Sequence, residues 1–376
     1  MGSSHNHSIK NYHTLHITAA IVIFVLSLFL INQLNESHIV FGLYFGNDIK
    51  ISSADIASPV TKGQIAVTGD GNVYVVWVDK DTVYFISAQD NGTNVSKPIA
   101  LSSNSTVASS PQIAATEKGD VYVVWVDKDN STGHTNIVFR DSNNSGNDFV
   151  PRVYLSKNLK QDQTATLAQP QIAATEKGDV YVVWVDKKSE SGDTDIQLSM
   201  SNNSGNDFKR KILRGGPLLS SSPQIAATEK GDVYVVWVDK KSERDKKNEK
   251  EIYSSKIMFR SSNDHGNTFD HAVRLSRNSN HTLNSPSVQA TTTEDGSVYV
   301  VWSDSGLEFI EIVNRGSVFG KTLSIISNEM TVYSPQIIKS KDGNIYLLWI
   351  GQNNDKSKDT GLYVKKISKD YFDRNL

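Results

Sequence analysis

The most regular feature of the chain is an apolar run that follows a short polar turn. In Val121–Val126, VYVVWV, apolar residues face both sides of an extended strand, which is typical of a strand covered on both faces. The preceding EKGD supplies the glycine of a tight turn, and PQIAAT before it is a short run of small and apolar residues. The pattern predicts a β-hairpin whose second strand is buried.

This hairpin recurs along the chain. The stretch PQIAATEKGDVYVVWVDK occurs identically at 111–128, 170–187 and 223–240, and looser copies begin at Gly63, Pro286 and Pro335. Each of the six copies contains one of the six tryptophans of the chain. Self-similarity at this spacing indicates a repeat architecture, in which each unit buries its apolar faces against its neighbours.

Each hairpin is followed by further predicted strands, such as 136–142 and 150–156 after the second copy. Four antiparallel strands repeated six times predict an all-β fold, a six-bladed β-propeller with the small-residue strand innermost. The sixth copy ends after its third strand, whereas residues 42–52 carry a spare one. We therefore expect the N-terminal strand Ile49–Ser52 to close the last blade and remove its open edge.

The N-terminus has a different character. Residues 1–14 are a polar tail, and residues 15–33 contain the apolar run LHITAAIVIFVLSLFLI. This run predicts a hydrophobic helix, and its length favours an uncleaved membrane anchor over a cleaved signal segment or a buried core helix. The propeller, residues 38–376, would then be extracytoplasmic and membrane-anchored, or secreted if the segment is cleaved. Asn-x-Ser/Thr sequons would fit a glycosylated exterior domain, and they begin at Asn35, Asn91, Asn94, Asn104, Asn130, Asn143, Asn202 and Asn280.

Composition excludes some classes of function. The formal net charge is −2, so no basic field is available to bind nucleic acid. The chain has no cysteine, which excludes disulfides and thiolate metal sites, so stability must come from packing.

A second motif lies at the turn between the third and fourth predicted strands. It is clearest at Ser262–Phe269, SNDHGNTF, and looser versions occur at 142–149 and 201–208. It resembles the Asp box of the sialidase-like (BNR-repeat) superfamily, and the resemblance covers residues 42–376. The resemblance implies that the motif is structural and faces away from the active site, with polar side chains bonding the turn, glycine at positive φ and the aromatic ring between blades. These residues are Ser262, Asp264, Gly266, Thr268, Phe269, Gly146 and Gly205.

The resemblance also implies where catalytic groups would lie. Sialidases use three arginines that clamp a substrate carboxylate, a Tyr–Glu nucleophile pair and an Asp acid/base. Tyr333, upstream of KDGNIYLLW, is similar to the nucleophile segment, and Asp79 or Asp81 lies where the acid/base would be. The clamp has no counterpart, because Lys62 is the only cation near the first arginine position and aspartates occupy the second. Residues 285–287 read Ser-Pro-Ser where the glutamate is expected, so Tyr333 has a second interpretation as a ring that only packs.

The face opposite the Asp boxes carries recurring polar residues. The aspartates follow the buried strands: Asp79, Asp127, Asp186, Asp239 and Asp304. The glutamines open the inner strands: Gln64, Gln112, Gln171, Gln224 and Gln336, with Ser287 in the fifth copy. One interpretation is an anionic funnel that binds sugar hydroxyls or a cation such as Ca²⁺. The other is that these side chains only satisfy the hydrogen bonds of nearby backbone groups. No metal site or cofactor is predicted beyond this.

Three identical hairpins place the same side chains at equivalent positions around the propeller axis. A glycosidase instead needs different side chains that converge on one glycosidic bond. The sequence therefore favours a membrane-tethered propeller that binds a glycan or a surface protein without catalysis. The alternatives are an exo-sialidase-like glycoside hydrolase with Tyr333 as nucleophile, and a structural cell-surface protein. The longer loops at 127–136, 186–195 and 239–256, the last strongly charged, would project from the same face.

Overall fold

The structure is a computed structural model. It describes residues 61–89, 94–103, 105–156, 168–187, 193–216, 218–244, 251–276, 286–303, 306–326, 330–340, 343–354, 360–368 and 371. The polar tail, the apolar segment 15–33 and the predicted closing strand Ile49–Ser52 lie outside these residues.

The all-β prediction is confirmed, since the described residues form antiparallel sheets in which neighbouring strands follow chain order. Sheet 1 contains β1 (Thr61–Val67), β2 (Val73–Asp79), β3 (Thr82–Gln89), β4 (Asn94–Val95) and β5 (Ile99–Ala100). Sheet 2 contains β6 (Thr106–Ala115), β7 (Val121–Asp129), β8 (Thr135–Ser142) and β9 (Val153–Tyr154). Sheet 3 contains β10 (Gln171–Ala174), β11 (Val180–Lys187), β12 (Thr194–Ser201) and β13 (Lys209–Arg214).

Three further sheets follow in the described part of the chain. Sheet 4 contains β14 (Leu219–Ala227), β15 (Val233–Arg244), β16 (Glu251–Ser262) and β17 (Val273–Arg274). Sheet 5 contains β18 (Val288–Thr292), β19 (Val298–Ser303), β20 (Leu307–Val313), β21 (Val318–Phe319) and β22 (Leu323–Ile326). Sheet 6 contains β23 (Met330–Lys339), β24 (Ile345–Asn353) and β25 (Thr360–Ile367). Stacked antiparallel sheets of about four strands are the arrangement found in a propeller.

The core lies between successive sheets, as the two-sided apolar run requires. On β7, Tyr122 and Val124 face sheet 3, while Val123 and Trp125 face sheet 1. The same alternation builds a buried cluster between each consecutive pair of sheets. Fully burying an aliphatic or aromatic side chain contributes about 1.5–3 kcal/mol, so these repeated clusters supply most of the stabilisation.

The first strand of each sheet is the innermost strand. The first strands of consecutive sheets approach within 8 Å, Cα to Cα, along the whole series from β1 to β23. Small side chains at these positions allow the backbones to come close, as the alanine pair of PQIAAT predicts.

Glutamates of the hairpin turns link neighbouring sheets. The carboxylate of Glu117 accepts the backbone N–H of Gly69 in sheet 1, at 2.6 and 2.8 Å. In the same way Glu176 accepts the N–H of Glu117 at 2.7 Å, and Glu229 accepts the N–H of Glu176 at 2.7 Å. A carboxylate that accepts a backbone N–H is a charge-assisted bond, so each turn holds the next one in place.

Sheet 6 differs from the others because only three of its strands lie in the described part of the chain. Its outermost strand, β25, presents Leu362 and Val364 to solvent, with Val364 68% exposed. Leu362 and Val364 lie opposite Ile350 and Leu348, on the face of sheet 6 that points away from sheet 5, so this face is uncovered by the described residues. The outer edge of β25 bonds no further strand among the described residues, and open edges invite pairing with another strand.

Asp141 is a partly buried acid between sheets 2 and 3. It lies on β8 opposite Tyr122, and its Oδ1 is 3.7 Å from the position that a Cβ on Gly205 would occupy. Burial raises the pKa of Asp141 to about 6, and the nearby charge of Asp120 adds to the effect. The carboxyl is thus easier to protonate in the folded protein than in the unfolded chain.

We expect this carboxyl to make the protein less stable as the pH rises. Between pH about 4 and about 6 Asp141 is ionised in the unfolded chain but still protonated in the folded one, so the free energy of unfolding falls over this window. Asp141→Asn should remove that loss and be more stable than wild type above pH 6. Urea unfolding of both proteins at pH 4, 5 and 7 measures the difference between their free energies of unfolding. A difference that does not grow with pH would contradict the prediction.

No helix within the described residues is long and apolar enough to cross a bilayer.

Candidate functional site

The two kinds of turn lie at the same end of each sheet. The backbone N–H of Ser145, in the turn between β8 and β9, donates to the carbonyl of Gly119, in the turn between β6 and β7, at 2.9 Å. The same bond joins Ser204 to Gly178 and His265 to Gly231, at 2.8 Å each. The connections that leave the second and fourth strands therefore lie at the other end, which we call the loop face.

The Asp-box residues bond their own turn. Ser262 Oγ accepts the N–H of Gly266 at 3.0 Å and donates to Asp264 at 2.7 Å. Asp264 also accepts the Thr268 N–H at 2.8 Å and hydroxyl at 2.6 Å, and these bonds lower the pKa of Asp264 to about 2. The carboxylate is thus engaged inside the turn. Phe269 packs against the cluster between sheets 3 and 4.

The glycines of the box are required by their conformation and by their neighbours. Gly146 has φ of 80° and Gly205 has φ of 85°, the left-handed region that other residues rarely adopt. A Cβ on Gly146 would lie 2.2 Å from the ring of Phe85 in the preceding sheet, and one on Gly205 would lie 2.6 Å from Phe139. The box therefore serves the packing between sheets.

At the loop face, Asp239 is buried in the interface between sheets 3 and 4. Its side chain is 7% exposed and accepts hydrogen bonds from Trp237 Nε1 at 2.8 Å and Ser220 Oγ at 2.6 Å. Arg214, on the fourth strand of sheet 3, donates its Nε to the same carboxylate at 3.0 Å. Trp237 and Asp239 are two residues apart on a strand, so they share a face. The carboxylate therefore lies on the same buried face as the indole.

Asp127 is buried at the equivalent position of sheet 2 but has fewer partners. It is 2% exposed, and Arg152 Nη1 lies 3.4 Å from its Oδ2, whereas its Oδ1 and the Nε1 of Trp125 bond no group among the described residues. Burial raises the pKa of Asp127, while the charge of Arg152 acts in the opposite direction. Asp127 and Asp239 are therefore engaged within the fold and do not form the solvent-open anionic funnel that the sequence suggested. Asp186 is half-buried near the end of β11, and Asp304 lies outside the described residues.

The glutamines occupy one equivalent position on the innermost strands. Each pairs with the residue just before the tryptophan: Gln64 with Val76, Gln112 with Val124, Gln171 with Val183, Gln224 with Val236 and Gln336 with Leu348. Gln112 lies opposite Val124, whereas Asp127 lies opposite Ala108, so glutamines and aspartates are at different depths. The structure does not bring the two sets together.

Sheet 5 has a glutamine at this position as well, which sequence reasoning missed. Gln289 pairs with Val301, next to Trp302, while Ser287 is bonded through its carbonyl to the N–H of Ser303 nearer the loop face. Aligning the copies on their prolines assigned the position to Ser287. A signal was present, because every one of these glutamines precedes its tryptophan by thirteen residues.

Tyr333 lies at the loop end of β23, opposite Ile350, and is 47% exposed. Its hydroxyl has no hydrogen bond to a carboxylate in the described part of the chain. Asp79 ends β2, and Asp81 lies in the two-residue turn that follows, with φ of 64°. The structure therefore gives Tyr333 a position open to solvent but no paired base.

Two arginines near the loop face are paired with aspartates, and a third arginine bonds backbone carbonyls near the Asp box. Arg152 and Arg214 contact Asp127 and Asp239, as described above. Arg260, on β16, donates to the carbonyls of Asp270, Phe269 and Leu213, so it ties the Asp-box strand to sheet 3. These guanidinium groups are not arranged as a three-arginine clamp.

The predicted loop 239–256 is largely a β-ribbon. Strands β15 and β16 stay paired from Asp239 opposite Lys256 out to Arg244 opposite Glu251. Ile252 and Tyr253 are strong strand formers, which favours extension of the hairpin. Among the residues that the structure describes, no group of three or more His, Cys, Asp or Glu side chains could hold a metal ion.

No protein-family model and no curated protein matches the sequence. Among solved structures, an α-L-arabinanase of Penicillium chrysogenum complexed with arabinobiose is similar at 15% identity, TM-score 0.56, over 84% of this chain and 97% of that one. The NanB sialidase of Streptococcus pneumoniae is similar at 11% identity, TM-score 0.51, over 86% and 70%. The polysaccharide lyase Uly1 is similar at 10% identity, TM-score 0.51, over 83% and 77%. At this level of identity the likeness concerns the fold, and it confirms the sialidase-like propeller fold that the Asp box predicted.

Proposed function

We propose that this chain is a carbohydrate-binding β-propeller that acts without cleaving its ligand. The support is the shared fold, since the similar structures are named as an arabinanase, a sialidase and a polysaccharide lyase. Fold alone does not assign a function, so the site must carry the argument.

Binding without catalysis is supported by the surroundings of Tyr333. A tyrosine becomes nucleophilic only beside a base, and no carboxylate among the described residues bonds its hydroxyl. The arginines that could hold an acidic sugar, Arg152 and Arg214, are instead paired with buried aspartates. The identical inner strands of sheets 2, 3 and 4 also offer a repeated surface, which suits a binding ring better than one catalytic centre.

Our proposal for the whole chain is a closed propeller of six blades. Residues 49–52 complete sheet 6 as its fourth strand and pair with β25, whose outer edge bonds no strand in the described part of the chain. Residues 15–33 tether the propeller outside the cytoplasm. A surface glycan is the preferred ligand, and a surface protein is the alternative partner.

An assay with a fluorogenic sialoside and a glycan array separates the functions. We expect wild-type protein to bind oligosaccharides on the array and to show no turnover, with Tyr333→Phe behaving the same in both assays. Turnover that Tyr333→Phe abolishes would establish the alternative, an exo-sialidase-like hydrolase. Neither binding nor turnover would favour a structural cell-surface protein.

A further inference from the structure

The six glutamines of the innermost strands form a set of identical polar groups that bond no other side chain in the described part of the protein. We call Gln64, Gln112, Gln171, Gln224, Gln289 and Gln336 the inner glutamines. None of their side-chain amides bonds another group among the described residues, although Gln64 and Gln336 are exposed and the other four are half-buried. None of the amide atoms is among the buried polar atoms that lack a partner, so the amides stay accessible to solvent and to a ligand.

The inner glutamines share one orientation. Residues directly opposite on paired strands lie on the same face of a sheet, so Gln112 shares the face of Val124. Val124 packs with Trp184 of sheet 3, so this face looks toward the following sheet. Val183 packs with Trp237 and Val236 with Trp302, which gives Gln171 and Gln224 the same orientation in their sheets. The amides therefore lie at the inner rim of successive interfaces.

The amides of successive sheets lie near one another. The next residue on the same face of each first strand is mostly alanine: Ala66, Ala114, Ala173, Ala226, Thr291 and Ile338. Small side chains here let the first strands of neighbouring sheets approach, so amides from successive sheets can face one ligand. The nearby aspartates Asp127 and Asp239 do not compete with the amides for a ligand, because each is paired with an arginine.

We propose that the inner glutamines bind the end of a neutral, hydroxyl-rich glycan; this rests on the proposed carbohydrate-binding function. Each amide offers a carbonyl acceptor and an NH₂ donor and carries no charge, which matches the hydroxyls of a neutral sugar better than the carboxylate of an acidic one. Gln112 lies three strand positions below Asp127, so the amides are about 10 Å from the loop face. That depth suits a chain end rather than an internal stretch of polysaccharide.

The test compares ring and control variants of the full chain. The ring variant is Gln112→Leu/Gln171→Leu/Gln224→Leu, and the control is Gln352→Leu, a loop-face glutamine that bonds Thr360 at 3.4 Å. Binding is measured on an array of neutral oligosaccharides, including arabinobiose and lactose, with sialyllactose as the acidic counterpart, and then by calorimetry. We expect wild type to prefer the neutral sugars, the ring variant to bind about tenfold or more weakly, and Gln352→Leu to stay within about twofold.

The outcomes separate this proposal from the proposed function. Binding by wild type that the folded ring variant retains would overturn the role of the inner glutamines and leave the carbohydrate-binding function standing. A preference of wild type for sialyllactose over lactose would also overturn the role of the inner glutamines and leave the carbohydrate-binding function standing. No binding to any glycan would overturn both. If the triple variant does not fold, Gln64→Leu/Gln336→Leu replaces it, because these two exposed side chains contribute least to packing.

Discussion

Replacing Asp239 with alanine is expected to lower the free energy of unfolding by about 3–5 kcal/mol. The carboxylate accepts bonds from the indole of Trp237, the hydroxyl of Ser220 and the guanidinium of Arg214, all at the interface between sheets 3 and 4. Its removal leaves a mostly buried arginine without its counter-charge and two further donors unpaired, which costs more than the pair itself contributes. Urea unfolding at neutral pH measures the change.

Asp127→Ala is the matched control, since the same residue type occupies the equivalent position in sheet 2. Its arginine, Arg152, lies 3.4 Å away and has a side chain that is 32% exposed, so water can replace the lost bond. We expect a clearly smaller loss than for Asp239→Ala. In a further variant, Arg214→Met together with Asp239→Leu should recover part of the stability. Equal losses in the two single variants would contradict this account.

Deleting residues 38–52 is expected to lower the melting temperature by about 5–10 °C, because the deletion removes the strand that we propose for the open edge of sheet 6. Without it, the hydrogen bonds along the outer edge of β25 stay unmade. Differential scanning calorimetry at low protein concentration measures the change.

The comparison for this deletion is a chain that lacks residues 1–37 only. It removes the polar tail and the apolar segment but keeps the proposed closing strand, so its melting temperature should match that of the full propeller. The two proteins then differ only in residues 38–52. Equal melting temperatures would show that sheet 6 does not depend on this strand.

The repeated hairpin could be predicted from sequence because its signals are local. The two-sided apolar run VYVVWV and the glycine turn before it lie within a dozen residues, and both occur as predicted in sheets 2, 3 and 4. The Asp box is equally compact, and its fold assignment followed from eight residues.

The environment of the site residues was harder to predict. Asp239 follows an apolar strand, which suggested that it lies in a loop. Alternate residues of a strand share a face, however, and Asp239 therefore lies beside Trp237 on the buried face. Its partner Arg214 belongs to the preceding sheet, and no local pattern links the two. His265 and Asp179 form a similar contact, at 2.9 Å, across 86 residues of sequence. Gln289 was missed for a different reason, since the fifth copy has two more residues between its proline and its tryptophan, so alignment on the prolines shifts the glutamine position.

The glutamate links between hairpin turns make the middle repeats interchangeable. Glu117, Glu176 and Glu229 each bond the turn before them, and the last two make identical contacts between identical sequences. A whole unit could therefore be duplicated or lost by recombination within the gene without creating a new kind of joint. The same identity leaves the folding chain few local cues for the correct order, since sheet 4 offers sheet 2 the same docking surface that sheet 3 does. Only the diverged first, fifth and sixth copies set the register of assembly.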